Sequence, residues 1–162
     1  MRRSRRLRLA DLPRLLVGGA IQFAGLFGGR YRRIEGAHVY VTDAEDRVLV
    51  VRTTYLGPGW MLPGGRIERG ETPHDGAVRE TLEETGLAVA VERLLLVDAR
   101  RGRDTSFVFA AHLVEGELAP QFGEIAEAGW VERDEIAASS APLRQLLDLL
   151  DAGGDRVIYL GL

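Results

Sequence analysis

Apolar and polar positions alternate over residues 37–42 (AHVYVT), and apolar ones run together over 48–52 (VLVVR). The polar stretch 43–47 (DAEDR) separates them. Two strands joined by a turn fit this pattern. A loop punctuated by Pro and Gly follows at 53–59 (TTYLGPG). Beyond Trp60 the period changes. Thr72 is a good N-cap, Pro73 suits the first helical position and Gly86 is placed to end the element, which predicts a helix over 73–85. Residues 88–99 (AVAVERLLLVDA) and 105–114 (TSFVFAAHLV) read as strands about a turn at 100–104. An acidic connection starts at Glu115 and reaches Glu124 and Glu127. A short strand at 128–131, a short helix at 134–139 and an amphipathic helix at 142–152 with a Leu stripe come next, and Gly153-Gly154 ends the last of these. Residues 156–160 (RVIYL) add an edge strand or a contact between two copies. Strands mixed with helices in this order predict an α/β sheet covered by helices.

The helix over 73–85 carries the first chemical signal. At about 100° per residue, Glu80, Glu83 and Glu84 fall within an arc of roughly 100°. Val78, Thr81, Leu82 and Thr85 fall on the other side, so one face is expected to pack on a core while the other gathers charge. Like charges at i,i+4 are mildly destabilising, so a cation is their natural partner. Carboxylates are hard ligands suited to Mg²⁺ or Mn²⁺, and the chain has no Cys to offer a soft site. A solvated acidic face is the competing reading, and helix spacing alone leaves the two level. The preceding Leu62-Pro63-Gly64-Gly65 tips the balance, because glycines let backbone approach a ligand closely.

Together, Gly65, Glu71, Arg79, Glu80, Glu83, Glu84, Gly86 and Leu87 match the Nudix box, G-x5-E-x7-R-E-U-x-E-E-x-G-U, where U is a bulky apolar residue. Every fixed residue is present over these 23 positions; Thr81 at the first U position is the one departure. The chain therefore resembles the Nudix hydrolases, with looser similarity from about Ala37 to Ala152. That resemblance implies an α/β/α sandwich with a mixed sheet. It implies divalent-metal-dependent hydrolysis of a phosphoanhydride bond in a nucleoside diphosphate derivative, a small-molecule substrate. Glu83 and Glu84 correspond to core metal ligands, Glu80 to a further ligand or the general base, and the Gly64 carbonyl to a non-carboxylate ligand. Arg79 corresponds to the partner of Glu71 in a structural ion pair. Glu124 is the first choice for a later acidic ligand and Glu127 the second, each weighed against a plain surface acid. Arg52 is a candidate for phosphate and Trp60 for stacking on a base, against a surface Arg and a packed Trp. His38, His74 and His112 are scattered and read as no ligand set. Gly76 lies on the acidic side, where a missing side chain leaves room for metal or phosphate, or serves nothing.

Marks of substrate are sparse. The Pro of ADP-ribose hydrolases, about sixteen residues past the box, is Arg103 here, and no Tyr occurs between Leu87 and Leu113 as in dinucleoside polyphosphate hydrolases. The stretch 60–73 (WMLPGGRIERGETP) resembles the loop of oxidised-nucleotide sanitising enzymes. Expected substrates are thus a (deoxy)nucleoside triphosphate or a nucleotide sugar. The alternatives are a nucleotide-sensing module without catalysis, and a membrane-associated hydrolase of a lipid-linked diphosphate.

Charge divides the chain. Residues 1–36 hold nine Arg against Asp11 and Glu35, a net of +7, while 37–162 hold twelve Arg against twenty-two acids, a net of −10. Residues 1–36 therefore form an extension and 37–162 the hydrolase domain. The apolar run 15–29 is too short for a typical transmembrane helix of about 20 residues. A helix packed on the domain or on a second subunit competes with a membrane-surface anchor, a signal sequence and a basic arm. No nucleic-acid partner is expected, and a homodimer is allowed. The absence of Cys suits a reducing, cytoplasmic location, membrane-peripheral if the extension is an anchor.

Overall fold

The computed structural model describes residues 34–99 and 104–161; the expected N-terminal helix and its membrane or dimer contacts lie outside the described residues. The elements run β1 (Ile34–Tyr40), β2 (Val48–Thr53), β3 (Gly64–Arg66), α1 (Pro73–Thr85), β4 (Leu87–Asp98), β5 (Asp104–Gly116), β6 (Ile125–Val131), α2 (Arg133–Ser139), α3 (Ala141–Gly153) and β7 (Ile158–Leu160). Five strands form a mixed sheet in the order β3-β1-β5-β4-β7, and β2 pairs with β6 in a second, two-stranded sheet. β1 lies antiparallel to β3 and parallel to β5, β4 is antiparallel to β5, and β7 joins β4 in parallel.

Alternation along the strands sorts side chains into two cores. Ala37 and Val39 of β1, Leu49 of β2, Leu87 and Val89 of β4 and Ala111 of β5 pack with Ala77 of α1. Val48 and Val50 of β2, Leu96 of β4 and Val108 of β5 pack with Ile136 of α2 and the Leu143, Leu146, Leu147 and Leu150 stripe of α3. Helices therefore cover both faces, giving the expected α/β/α sandwich. Among the described residues no helix is long and apolar enough to cross a membrane.

The ends of α1 follow the sequence. Thr72 is extended at φ −83° and ψ 157°, and its hydroxyl accepts the Asp75 N–H. Gly86 takes the left-handed conformation at φ 77°, and a Cβ there would meet the Glu117 carbonyl at 2.7 Å. The faces of α1 differ from expectation. Its buried residues are Gly76, Ala77, Thr81, Glu84 and Thr85, whereas Leu82 is exposed. The helix sits rotated toward its acidic side because Glu84 is drawn under the glycine strand. Thr81 fits its apolar position by donating its hydroxyl to the Ala77 carbonyl at 2.7 Å.

Strand limits moved outward. β1 begins at Ile34, within the segment assigned to the extension, because Gly36 pairs with both Arg66 and Ser106. β6 begins at Ile125 rather than 128, which shortens the acidic connection. β3 was not foreseen: three residues that include two glycines carry no strand pattern, and neighbouring β1 alone makes them one.

Candidate active site

β3 and α1 meet through two glycines that do different work. Gly64 has φ +140°, and a Cβ on it would lie 2.2 Å from the Ala37 carbonyl oxygen and 2.6 Å from His38 Cα. Only glycine fits there. The Gly64 N–H donates to Glu84 Oε2 at 2.8 Å in a buried setting. Gly65 has no such backbone demand, yet its Cβ would lie 2.5 Å from the Glu80 carboxyl carbon. The glycine pair is thus the surface on which α1 seats two of its carboxylates.

Arg79 organises the rest. Its Nε and Nη2 donate to the two oxygens of Glu71 at 2.9 and 3.0 Å, and Nη2 also reaches the Arg66 carbonyl at 3.0 Å. The expected Glu71–Arg79 pair is therefore present as a two-pronged fork, the strong form of a charge-assisted bond. Hydrogen bonds from Arg79 and from the Glu68 N–H hold the Glu71 carboxyl below the usual carboxylate range. Arg79 extends further than the pairing implied by the sequence: Nη1 donates to Glu80 Oε1 at 2.9 Å and to Glu83 Oε2 at 3.0 Å. Gly76 leaves no room for metal or phosphate. The nearest atoms to a Cβ there are Glu71 Oε2 at 3.1 Å and Ile67 Cγ1 at 3.5 Å, so its space serves the Glu71 carboxylate.

Glu84 is 8% exposed, and burial pushes its carboxyl up to about 8; the Gly64 N–H opposes this, while Glu80, Glu124 and Glu83 add to it. Burial likewise raises Glu80, against Arg79 and with the help of Glu83 and Glu124. Four acids thus share one region, in which Arg79 meets Glu80 and Glu83 while the Glu84 carboxyl is met by the Gly64 N–H. A purely structural helix gains nothing from that arrangement, whereas a hard cation among oxygen donors relieves it. Among the described residues no three His, Asp or Glu side chains are gathered as a metal cage, and Arg79 holds an oxygen of both Glu80 and Glu83. The donor chemistry of Glu80, Glu83 and Glu84, all carboxylate oxygens, fits a hard divalent ion.

The structure separates the two later acids. Glu124 lies close enough to act on Glu84 and Glu80, while Glu127 Oε2 accepts from Arg52 Nη1 at 2.7 Å. Arg52 and Trp60, expected at the substrate, instead meet each other. The guanidinium carbon sits 3.9 Å from the Trp60 ring centroid, and Trp60 is 3% exposed within the core beside α2 and α3. Trp60 packs rather than offering a stacking face, and Arg52 is engaged by Glu127 and by that ring. Tyr55 was overlooked, since a Tyr in a Gly- and Pro-rich loop has no local signature. Burial raises its hydroxyl, and the charges of Glu124, Glu84 and Glu80 add to that.

Comparison with known proteins agrees with this geometry. A family model described as the NUDIX domain matches residues 32–150. A MutT-like protein of Streptomyces ambofaciens is 33% identical over 119 residues, 72% of this chain and 77% of that protein. An ADP-ribose pyrophosphatase of Methanocaldococcus jannaschii is 31% identical over 126 residues, 63% of this chain and 74% of that protein. Among solved structures, a NUDIX hydrolase from Nitrosomonas europaea superposes with a TM-score of 0.64 at 25% identity, covering 78% of this chain and 93% of that one.

Proposed function

The chain belongs to the NUDIX domain family, and from that premise we propose how it hydrolyses a phosphoanhydride bond in a nucleoside diphosphate derivative. A divalent cation, Mg²⁺ or Mn²⁺, would be held by Glu80, Glu83, Glu84 and the Gly64 carbonyl, with Glu124 as a further donor. The observation that carries this reading is Glu84, a carboxylate sunk beneath the glycine strand and surrounded by three other acids.

When bound, the cation neutralises phosphate oxygens and lowers the pKa of attacking water. The chain's own part is placement. The Gly64 N–H fixes one oxygen of Glu84. Gly65 admits the Glu80 carboxylate against the backbone. Arg79, anchored on Glu71 and on the Arg66 carbonyl, keeps α1 in register with the glycine strand and positions Glu80 and Glu83. The base that takes the proton from water is Glu80 or Glu124, with Glu83 kept as a metal ligand.

The relative named an ADP-ribose pyrophosphatase supports a nucleoside diphosphate derivative as the substrate class. A (deoxy)nucleoside triphosphate is the first proposed substrate, on the resemblance of residues 60–73 to sanitising enzymes, and a nucleotide sugar the second. The test is a panel of nucleoside triphosphates, oxidised purine triphosphates, ADP-ribose and other nucleotide sugars with Mg²⁺, read as released phosphate or pyrophosphate. Turnover of at least one, abolished by chelator and restored by Mg²⁺ or Mn²⁺, is expected. Silence across the panel with tight binding of one nucleotide would establish a sensor instead.

A further inference from the structure

Of the four acids at the site, Glu80, Glu83 and Glu84 are aimed by α1, whereas Glu124 stands in the connection between β5 and β6, just before Ile125 opens β6. No helix aims it, so its direction depends on what holds the backbone on either side. The connection is first tied to α1. The Ala119 N–H donates to the Thr85 carbonyl at 2.8 Å and the Gln121 N–H to the Glu84 carbonyl at 3.2 Å. The Ile125 N–H then returns to the Gln121 carbonyl at 3.1 Å. From the other side the tie is Thr54, the first residue past β2. The pairing of β2 with β6 shifts register at Arg52/Thr53 and ends at Thr53 against Ile125. One step further, the Thr54 N–H donates to the Glu124 carbonyl at 2.9 Å. The Thr54 hydroxyl donates to the Gly123 carbonyl at 3.0 Å and lies 3.3 Å from that of Glu124.

Those two carbonyls belong to the two peptide groups that flank the Glu124 Cα. Peptide groups are planar, so holding both planes sets the direction in which the Glu124 side chain leaves the backbone. Gly123 has φ +94°, and a Cβ there would meet nothing within 4 Å among the described residues, so backbone conformation rather than room calls for glycine. A glycine turns easily, and the Thr54 hydroxyl restrains its carbonyl. The bond is exposed, where water can replace it at little cost to folding. Direction is therefore a better reason for it than stability. The charge of Glu124 reaches Glu84 and Glu80, which agrees with a side chain turned toward them.

We propose that Thr54 is a positioning residue of this hydrolase, whose hydroxyl holds the Gly123–Glu124 peptide so that Glu124 faces the acids of α1. This deepens the hydrolase reading above and rests on Glu124 belonging to that site. Thr54→Val keeps the shape and the backbone N–H bond but deletes the hydroxyl, and Thr54→Ser keeps a hydroxyl. Both are compared with Glu124→Gln and with Thr54→Val in the Glu124→Gln background, on a nucleotide of the panel that the parent turns over with Mg²⁺. Thr54→Val should lower kcat about 10-fold, part of the roughly 100-fold that displacing a reacting group by about 1 Å can cost. Its unfolding temperature should stay within about 4 °C of the parent. Thr54→Ser should keep kcat within about threefold. In the Glu124→Gln background the loss of the hydroxyl should cost no more than about twofold, because the carboxylate it aims is gone. Crystal structures of the parent and of Thr54→Val should show the Glu124 carboxylate displaced by about 1 Å, with β6 in place.

A Thr54→Val protein with the kcat of the parent, or a Thr54→Ser protein that loses as much as Thr54→Val, overturns the proposal and leaves the hydrolase reading intact. An equal loss with and without the Glu124 carboxylate overturns it too, by making Thr54 a general support of the loop. A fully active Glu124→Gln protein removes Glu124 from the site and the role of Thr54 with it. A parent that cleaves no nucleotide overturns the hydrolase reading, and the two crystal structures then decide whether Thr54 aims Glu124.

Discussion

Replacing Gly65 with Ala separates chemistry from folding at a single atom. The added Cβ falls 2.5 Å from the Glu80 carboxyl carbon and 2.5 and 2.8 Å from its oxygens, well inside contact distance, and nothing else obstructs it at that range. The obstruction is the far end of a flexible side chain, so Glu80 can rotate away and the backbone can stay. The cost is the bond from Arg79 Nη1 to Glu80, 2.9 Å long. A hydrogen bond to a charged group contributes about 1.5–3 kcal/mol, and the relief of burying Glu80 less deeply offsets part of that, leaving about 1–2 kcal/mol. In a chain of this length the unfolding temperature should fall by about 2–8 °C. Catalysis should suffer more, because displacing a reacting group by about 1 Å can cost on the order of 100-fold in rate. Gly64→Ala is the contrast: its Cβ meets backbone at 2.2 Å and its φ is +140°, so the fold should fail with it. Both variants are assayed for pyrophosphate or phosphate release under saturating Mg²⁺ and nucleotide, with thermal unfolding in parallel. A folded Gly65→Ala protein with kcat within threefold of the parent would refute the assignment of Glu80 to the chemistry.

Glu83→Gln should lower kcat by at least about 100-fold with the unfolding temperature unmoved, since Glu83 is half exposed and among the described residues it pairs with Arg79 alone; an active variant removes it from the metal set. Glu84→Gln should abolish turnover yet stabilise the chelator-treated protein, because a Gln oxygen still accepts from Gly64 while the cost of burying a carboxyl that would otherwise ionise, among Glu80, Glu124 and Glu83, is gone. A lower unfolding temperature in chelator would contradict that. Glu71→Gln should cost about 1–2 kcal/mol at pH 7 through the lost fork to Arg79. Because Arg79 holds the folded carboxyl below its unfolded value, the contribution is present above about pH 4.3 and disappears as pH falls through the folded pKa. Urea unfolding at pH 7 and pH 3.5 should show the gap closing, and an equal gap at both would rule the ion pair out.

What the sequence disclosed was local. Thr72, Pro73 and Gly86 bound α1 because caps act within four residues, and Leu143, Leu146, Leu147 and Leu150 mark α3 because they repeat at helical spacing. The acid set was visible through its spacing. Its burial was not, since Glu84 is pulled inward by an N–H twenty positions earlier. For the same reason Arg52 looked free: its partner Glu127 is 75 positions away, on a strand that pairs with its own. Thr54 looked like any loop residue, because the Gly123 and Glu124 carbonyls it meets are 69 and 70 positions away.

The connection between β5 and β6 is tied down unevenly. The Ala119 and Gln121 N–H groups cap the Thr85 and Glu84 carbonyls at the end of α1, and the Gly123 and Glu124 carbonyls are held by Thr54. All of these ties use backbone atoms of the connection, and one of them asks for glycine at 123, where φ is +94°. Position 122 lies between the two sets of ties, exposed and without a structural duty. The residue at 122 can therefore be exchanged without displacing the Glu124 backbone.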